Sequence, residues 1–342
     1  MTLMKSKFAF LLAGENIDLA KEEVLALLNA KKYELHDRLL IIETKKVKLK
    51  ELSQRLAFTH SIYQLLFAAN KNKNNLKKAM QSFKWQSIYK GGFSFRIRNM
   101  NSDRLKFSEQ ELSSIIWSKL KTPKVNLNAA ETKIELLSLK TAKTAKNSLF
   151  CLMKLFDIKK DFDKRKAHLR PGFNPVSLDP RLARCIVNLT GAKKGSKILD
   201  PFCGTGGILI EAGLMGLKPI GCDIDEEMLR KTQLNLEHFG IKHYELKKMD
   251  AAKSNKKVKF DYVVTDLPYG RSSKADKNLE QLYLNFLKNL EKRLKKRAVV
   301  VFPDFLNRTK LIKKAKLKAK REFSCYIHKT LTKKIVMVST TE

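Results

Sequence analysis

The architecture of the second half of the chain is visible in the segment Lys197-Ile198-Leu199-Asp200-Pro201-Phe202-Cys203-Gly204-Thr205-Gly206-Gly207. A short apolar strand runs directly into a glycine-rich turn, and residues 208–215 then have helical character. Ligands of open α/β sheets bind at the carboxyl ends of the strands, and glycine lets the backbone approach a ligand closely. The segment therefore predicts a ligand-binding strand–turn–helix unit.

Two known nucleotide-binding motifs are related to this turn without matching it. The dinucleotide motif G-x-G-x-x-G would require glycine at position 209, which is Leu209. A Walker loop would require Gly-Lys-Ser/Thr, which the turn lacks. A purely structural strand–helix turn remains the alternative.

Strand and helix patterns alternate through the residues that follow the turn. Strands are predicted at 219–223, 260–266 and 298–302, and helices at 226–239 and 282–294. This alternation is typical of a Rossmann-like, doubly wound parallel sheet. Residues 322–329 and 334–339 are strand-like and separated by a short turn, so they predict a C-terminal antiparallel hairpin. The fold class is therefore α/β.

Acidic residues recur at the predicted strand ends. Asp223 ends the second strand, 23 residues after Asp200, and a carboxylate there can accept both hydroxyls of a ribose. Ile224 offers an apolar face for an adenine, and Asp250 could accept a hydrogen bond from an adenine amino group. Each acid alone could be a solvated loop residue, but three in register predict a nucleoside site.

A second candidate site is Asp266-Leu267-Pro268-Tyr269-Gly270, at the end of the strand predicted at 260–266. The arrangement suits methylation of an exocyclic amine on a base, whose lone pair is delocalised into the ring. The Asp266 carboxylate and the Leu267 carbonyl can accept the two N–H bonds, while Tyr269 stacks on the base. Pro268 holds the preceding residue extended, and Gly270 permits the turn. The alternative is an ordinary strand–turn.

The N-terminal part has strands and helices in mixed order, which is typical of an α+β unit. The predicted strands are residues 8–12, 39–43, 93–98, 133–139 and 150–156, and the predicted helices are residues 17–29, 61–69, 76–83 and 108–120. A charged segment followed by prolines places the boundary between the two parts within residues 157–175.

The charge of the chain predicts a polyanionic partner. Its 342 residues carry 70 Lys and Arg against 34 Asp and Glu, a net charge of +36. Residues 44–108 hold 15 basic and 2 acidic residues, and residues 292–321 hold 13 and 1. Two such runs favour an RNA track, although a lysine-rich proteome or solvated faces would also give them. The five isolated cysteines form no zinc motif, and they predict a reducing, intracellular compartment.

Several segments together resemble the class I S-adenosylmethionine-dependent methyltransferases, and more narrowly the archaeal tRNA (guanine(10)-N2)-dimethyltransferase family. The matching segments begin at Ser177-Leu178-Asp179-Pro180, Asp200-Pro201-Phe202-Cys203, Gly221-Cys222-Asp223-Ile224, Thr265-Asp266-Leu267-Pro268 and His328-Lys329-Thr330-Leu331. The resemblance implies that S-adenosylmethionine is the cofactor and that tRNA is the substrate. It implies cofactor binding by Asp200, Phe202, Gly204, Thr205, Gly206, Asp223, Ile224 and Asp250. It implies catalysis by Asp266, Leu267, Pro268 and Tyr269.

The sequence departs from the family at Leu267, where the usual motif has a second proline. We expect this change to lower the rigidity of Asp266 without loss of activity, and the proline variant to be neutral or slightly faster. The N-terminal part more weakly resembles a THUMP RNA-binding module with a ferredoxin-like companion. The implied domains are a ferredoxin-like region (1–50), a THUMP-like domain (51–157), a linker (158–174) and the methyltransferase domain (175–342).

Other functions are compatible with the same residues. They are a ribosomal RNA guanine-N2 methyltransferase, a DNA adenine-N6 methyltransferase, and a non-catalytic RNA-binding protein with a decayed site. The RNA module argues against the DNA enzyme, and the intact Asp200, Asp223 and Asp266 argue against a decayed site. A cytoplasmic tRNA enzyme without metal or membrane association is the prediction, and a monomer is expected.

Overall fold

The computed structural model describes residues 6–44, 48–70, 72–100, 107–140, 147–158, 161–175, 177–253, 258–269, 277–328 and 331–341. These residues form two compact units. The first unit comprises the described residues of 1–17, 30–53 and 59–159, and the second comprises those of 18–29, 54–58 and 160–342. Two short pieces of the N-terminal sequence therefore belong to the second unit.

The elements are numbered along the chain. The strands are β1 (Ser6–Leu12), β2 (Glu34–His36), β3 (Leu39–Thr44), β4 (Thr59–Asn70), β5 (Phe93–Asn99), β6 (Thr132–Lys140), β7 (Asn147–Asp157), β8 (Lys197–Asp200), β9 (Lys218–Asp223), β10 (Glu245–Lys248), β11 (Phe260–Asp266), β12 (Leu294–Pro303), β13 (Leu317–His328) and β14 (Leu331–Thr340). The helices are α1 (Ile17–Leu28), α2 (Leu49–Arg55), α3 (Lys73–Ser82), α4 (Glu109–Trp117), α5 (Pro180–Leu189), α6 (Gly207–Leu214), α7 (Glu226–His238), α8 (Lys277–Arg293) and α9 (Arg308–Lys314).

The described strands of the first unit form one sheet in the order β2-β3-β1-β4-β7-β6-β5. Neighbouring strands are antiparallel except β5 and β6, which are parallel. The predicted mixture of strands and helices is therefore present. The sheet contains strands from both sides of residue 50, and the division into a ferredoxin-like region and a THUMP-like domain stays a prediction.

The sequence predicts a helix over residues 61–69, but these residues lie in strand β4. Ile62, Leu65 and Leu66 have the i, i+3, i+4 spacing of a helix face, and this spacing misled the prediction. The segment instead pairs with β1 on one side and β7 on the other. Ile62 and Tyr63 are fully buried. Pairing on both edges and burial outweigh the local pattern.

The second unit confirms the α/β prediction. Its sheet order is β10-β9-β8-β11-β12-β14-β13, with parallel strands from β10 to β12. Strands β13 and β14 form the antiparallel hairpin, and β14 pairs with β12. Helix α8 buries Tyr283, Phe286 and Leu287 in a core that includes Val263 and Val300 of the central strands. This packing places the carboxyl ends of β8, β9 and β11 along one edge.

The two N-terminal pieces are integral to the core of the second unit. Glu23 of α1 is fully buried, and its carboxylate accepts hydrogen bonds from the backbone N–H groups of Ala57 and Phe58 at 2.8 and 2.9 Å. The amide of Asn188 on α5 donates to the same carboxylate at 2.8 Å. Arg55 donates to Asn188 Oδ1 at 2.9 and 3.1 Å. Residues 18–29 and 54–58 thus satisfy polar groups inside this unit.

The segment predicted as a linker also packs within the second unit. Arg165 donates to the buried Glu211 at 2.6 Å. The N–H and carbonyl of Gly172 exchange hydrogen bonds with the Asn235 side chain at 2.8 and 3.0 Å. The boundaries at 158–174 and 175–342 stay predictions.

Three composition-based expectations concern thiols, membranes and metals. All five cysteines have free thiols. Within the part of the chain that the structure describes, no helix is both long and apolar enough to cross a membrane. The same residues contain no cluster of three His, Cys, Asp or Glu side chains suited to a metal ion.

Candidate active site

A cavity of about 410 Å³ opens in the second unit beside the carboxyl ends of β8, β9 and β11. It brings together eleven of the twelve residues predicted from the sequence. They are Asp200, Phe202, Gly204, Thr205, Asp223, Ile224, Asp250, Asp266, Leu267, Pro268 and Tyr269. The two candidate sites of the sequence are therefore one continuous cavity.

The glycine-rich turn is shaped by two residues with positive φ. Gly204 has a φ of 52°, and its N–H donates to Asp223 Oδ2 at 2.9 Å. Gly206 has a φ of 79° at the start of α6, where a Cβ would lie 2.8 Å from Thr232 Cγ2. Glycine is required there by conformation and by space. Gly206 is absent from the described lining of the cavity, and its predicted cofactor contact stays a prediction.

Asp200 lies at the floor of the cavity and is only 2% exposed. Its Oδ1 accepts hydrogen bonds from the Thr265 hydroxyl at 2.7 Å and from the Phe202 N–H at 3.2 Å. Burial raises the pKa of Asp200 to about 7, although these two donors oppose the rise. Asp200 therefore organises the turn from beneath it.

Asp223 and Asp250 present carboxylates with unused acceptor capacity. Asp223 accepts the N–H groups of Gly204 and Asp225, one on each oxygen, and every carboxylate oxygen can accept more than one hydrogen bond. Asp250 accepts the Ala252 N–H at 2.8 Å. Ile224 lies beside them and is 68% exposed. This combination can hold ribose hydroxyls, an amino group and an aromatic ring.

Asp266 is held by a cation and a phenol. Lys333 Nζ of β14 lies 2.5 Å from Asp266 Oδ2, and the Tyr269 hydroxyl donates to Oδ1 at 3.4 Å. The Lys333 ammonium also lies 4.6 Å from the centre of the Tyr269 ring. Burial raises the pKa of Asp266, and the charge of Lys333 counteracts the rise.

The leucine in place of the family's proline is firmly held. Leu267 is 1% exposed, and its N–H donates to the Val301 carbonyl of β12 at 3.1 Å. The Tyr283 hydroxyl donates to the carbonyl of the following Pro268. The backbone bond and the buried side chain thus hold this turn without a second proline, and the expected loss of rigidity stays a prediction. Gly270 lies outside the described residues.

Lys333 and Thr265 are site residues that the sequence analysis missed. The signal for Lys333 was weak: it precedes an apolar stretch in which residues 335–338 are all buried, so alternation does not mark its face as the one that faces the core. Thr265 gave no such signal, because a threonine within a strand is ordinary. Its partner Asp200 is 65 residues away.

Two family models match the chain. The model for an RMKL-like methyltransferase domain matches residues 167–333. A model described as DNA methylase matches residues 1–234, a range that ends before Asp266.

Curated relatives match over most of the chain. The tRNA (guanine(10)-N2)-dimethyltransferase of Methanothermobacter thermautotrophicus is 35% identical, over 87% of this chain and 87% of its own. The enzyme of the same name from Pyrococcus abyssi is 32% identical, over 92% and 94%. Among solved structures, TrmN from Thermus thermophilus has a TM-score of 0.50 and 19% identity, over 98% of this chain and 99% of that chain. That structure supports the fold alone.

Proposed function

The chain belongs to the family of archaeal tRNA (guanine(10)-N2)-dimethyltransferases, and on this premise we propose that it methylates guanine 10 of tRNA. Its activity is S-adenosylmethionine-dependent methylation of a guanine N2 amine in tRNA. The modified position and the addition of two methyl groups belong to the proposal.

The cavity fits the cofactor in charge and shape. S-adenosylmethionine supplies an electrophilic methyl group on a positively charged sulfur. Asp200, Asp223, Asp250 and Asp266 line the cavity, which is unusual in a chain of net charge +36. A Cβ built on Gly204 would meet no atom within 4 Å, so this turn leaves open space for a ligand. Asp223 would hold the ribose and Asp250 the adenine amine, with Ile224 against the ring.

The target base would bind between Asp266 and Tyr269. Asp266 Oδ1 and the Leu267 carbonyl would accept the two N–H bonds of the exocyclic amine, which keeps its lone pair directed at the methyl group. Stacking on Tyr269 would offset part of the cost of extruding the base, at about 1–3 kcal/mol. After transfer, the excess proton on nitrogen would leave to Asp266 or to water.

One observation carries this proposal: the glycine-rich turn and the Asp266–Tyr269 segment line the same 410 Å³ cavity. A methyl donor and an acceptor amine can meet only if their sites are continuous. The family relationship then selects guanine in tRNA as the acceptor.

The test is methyl transfer to an unmodified tRNA transcript, followed by nuclease mapping and mass spectrometry. We expect N2-methylguanosine at position 10, which converts to the dimethylated nucleoside with time. A transcript with adenine at position 10 is the matched control and should accept no methyl groups. Equal labelling of both transcripts would refute the proposed position, and labelling of ribosomal RNA alone would refute tRNA as substrate.

A further inference from the structure

We infer that Lys333 is a positioning residue that keeps Asp266 ionised and dedicates one of its two oxygens to the target amine. The inference rests on the proposed function of the cavity. It assigns a role to β14, which is not part of either candidate site predicted from the sequence.

Lys333 contacts both residues of the proposed target site, Asp266 and Tyr269. It is 7% exposed, its Nζ lies 2.5 Å from Asp266 Oδ2, and it lies 4.6 Å from the centre of the Tyr269 ring. One ammonium thus contacts the carboxylate and the ring that are proposed to grip the base. Lys333 lies against one face of the ring, and the proposed target base would stack on the other face.

The ion pair gives the two oxygens of the Asp266 carboxylate different partners. Oδ2 is occupied by Lys333, whereas among the described residues Oδ1 has only the long 3.4 Å hydrogen bond from Tyr269. A weak bond of this length is readily exchanged for a better donor. Oδ1 is therefore the oxygen available to the N–H of a substrate amine, and Lys333 fixes the rotamer that presents it.

A buried carboxyl group accepts a proton unless a cation compensates the loss of water. Among the described residues, the charged and titratable groups that interact with Asp266 are Lys333 of β14, Tyr269, Tyr283 of α8 and Asp200 of β8. Asp304, after β12, interacts with Tyr269. Among these described groups, Lys333 is the cation. A protonated Asp266 would offer a donor to the amine where an acceptor is needed, so loss of Lys333 should weaken the site through protonation.

The first experiment titrates Asp266 directly, in the full chain without cofactor or tRNA. Carbon-13 NMR of labelled aspartate follows the carboxyl carbon, which is assigned by its disappearance in Asp266→Asn. Lys333→Met should raise the pKa of Asp266 by at least one unit, whereas Lys333→Arg should leave it near the wild-type value. Lys333→Gln provides the same test if the methionine variant does not fold.

The second experiment measures single-turnover methyl transfer against pH, with saturating tRNA and S-adenosylmethionine. The acid limb of the Lys333→Met profile should move to higher pH, which lowers the rate on that limb about tenfold for each unit. Lys334→Met is the matched control, because this neighbouring lysine donates to Ser324 and points to the other face of β14. Its profile should overlay that of the wild type.

The outcomes separate the two proposals. If the pKa of Asp266 stays unchanged in Lys333→Met, or if only the plateau rate falls while the acid limb stays in place, the inference is overturned even though the enzyme methylates tRNA. If the pKa rises as expected and no variant or wild-type protein methylates tRNA, the role of Lys333 in ionising Asp266 holds and the proposed function fails.

Discussion

Asp200 and Asp266 are both buried carboxyl groups in one cavity, but their partners differ in charge. Asp200 accepts hydrogen bonds from the neutral Thr265 hydroxyl and Phe202 N–H, whereas Asp266 pairs with Lys333. Neutral donors compensate burial less well than a cation does. The two carboxyl groups should therefore titrate differently, and the difference can be measured.

Substitution of Asp200 should change how stability depends on pH. Its pKa is about 7 in the folded chain and about 4 in an unfolded one. The folded state holds the extra proton between these values, so the contribution of Asp200 is full below pH 4 and is lost as the pH rises to 7. Asp200→Asn keeps the Oδ1 acceptor and lacks the proton equilibrium. Urea unfolding should show a flatter pH profile for the variant, and parallel profiles would contradict the pKa shift.

Substitution of Asp266 should separate binding from chemistry. Asp266→Ala is expected to leave the affinities for S-adenosylmethionine and tRNA nearly unchanged and to lower the single-turnover rate by about 100-fold or more. Tyr269→Phe keeps the aromatic face and should be mild. Calorimetry and rapid-quench labelling measure the two effects. A near-wild-type rate for Asp266→Ala would remove this residue from the reaction.

At the scale of elements, the hydrogen bond between the residue after β11 and strand β12 determines the effect of a proline at position 267. Leu267→Pro would restore the family pattern but would remove the N–H that donates to Val301. The unpaired carbonyl should cost about 1–3 kcal/mol, and the poorer packing of a buried side chain adds to it. We therefore expect Leu267→Pro to lower the free energy of unfolding. The sequence alone predicted that this variant would have an unchanged or slightly higher methyl-transfer rate.

The measurement is the free energy of unfolding in urea, together with the methyl-transfer rate. Leu267→Met is the matched control, because it keeps both the N–H and most of the side-chain volume and should cost under about 1.5 kcal/mol. Equal stability of the proline and methionine variants would show that the hydrogen bond to Val301 contributes nothing.

Most elements of the second unit were predictable because they follow a local pattern, as at β8, α6 and the β13–β14 hairpin, whereas α5, β10 and α9 were not predicted. Residues 61–69 were not predictable, because their helical spacing is local while their pairing with β1 and β7 is not. The ion pair of Lys333 and Asp266 could not be predicted either, because these residues are 67 positions apart in the sequence. The sequence motifs predicted which residues line the cavity. The contacts that hold these residues in place depend on tertiary pairing, which local motifs do not show.

At the scale of the whole molecule, the charge of +36 should make tRNA binding strongly dependent on salt. We expect the lysines and arginines that bind phosphates to lie mainly in residues 44–108. Lys84 and Lys90 are exposed members of this run. Replacing both with Gln should reduce the slope of log K against log salt by about 0.7–0.9 for each phosphate that is no longer neutralised.

The control for this measurement is Lys318→Gln with Lys320→Gln, an exposed pair from the second basic run. Both double variants remove two charges from the full chain, so net charge is matched. A larger effect from the second pair would place the main RNA-binding residues in 292–321. A truncated 1–160 chain is unsuitable, because the buried Glu23 would be without its partner Asn188.

The burial of α1 in the second unit has a consequence for how the protein emerges from the ribosome. Glu23 is synthesised 165 residues before Asn188, which donates to its carboxylate. At about 5–20 residues per second, this helix waits roughly 8–30 s for its partner. During this time residues 18–29 still lack their final neighbours in the second unit. A nascent chain halted near residue 160 should expose α1 to chaperones and proteases, and α1 should become protected only after synthesis has passed Asn188.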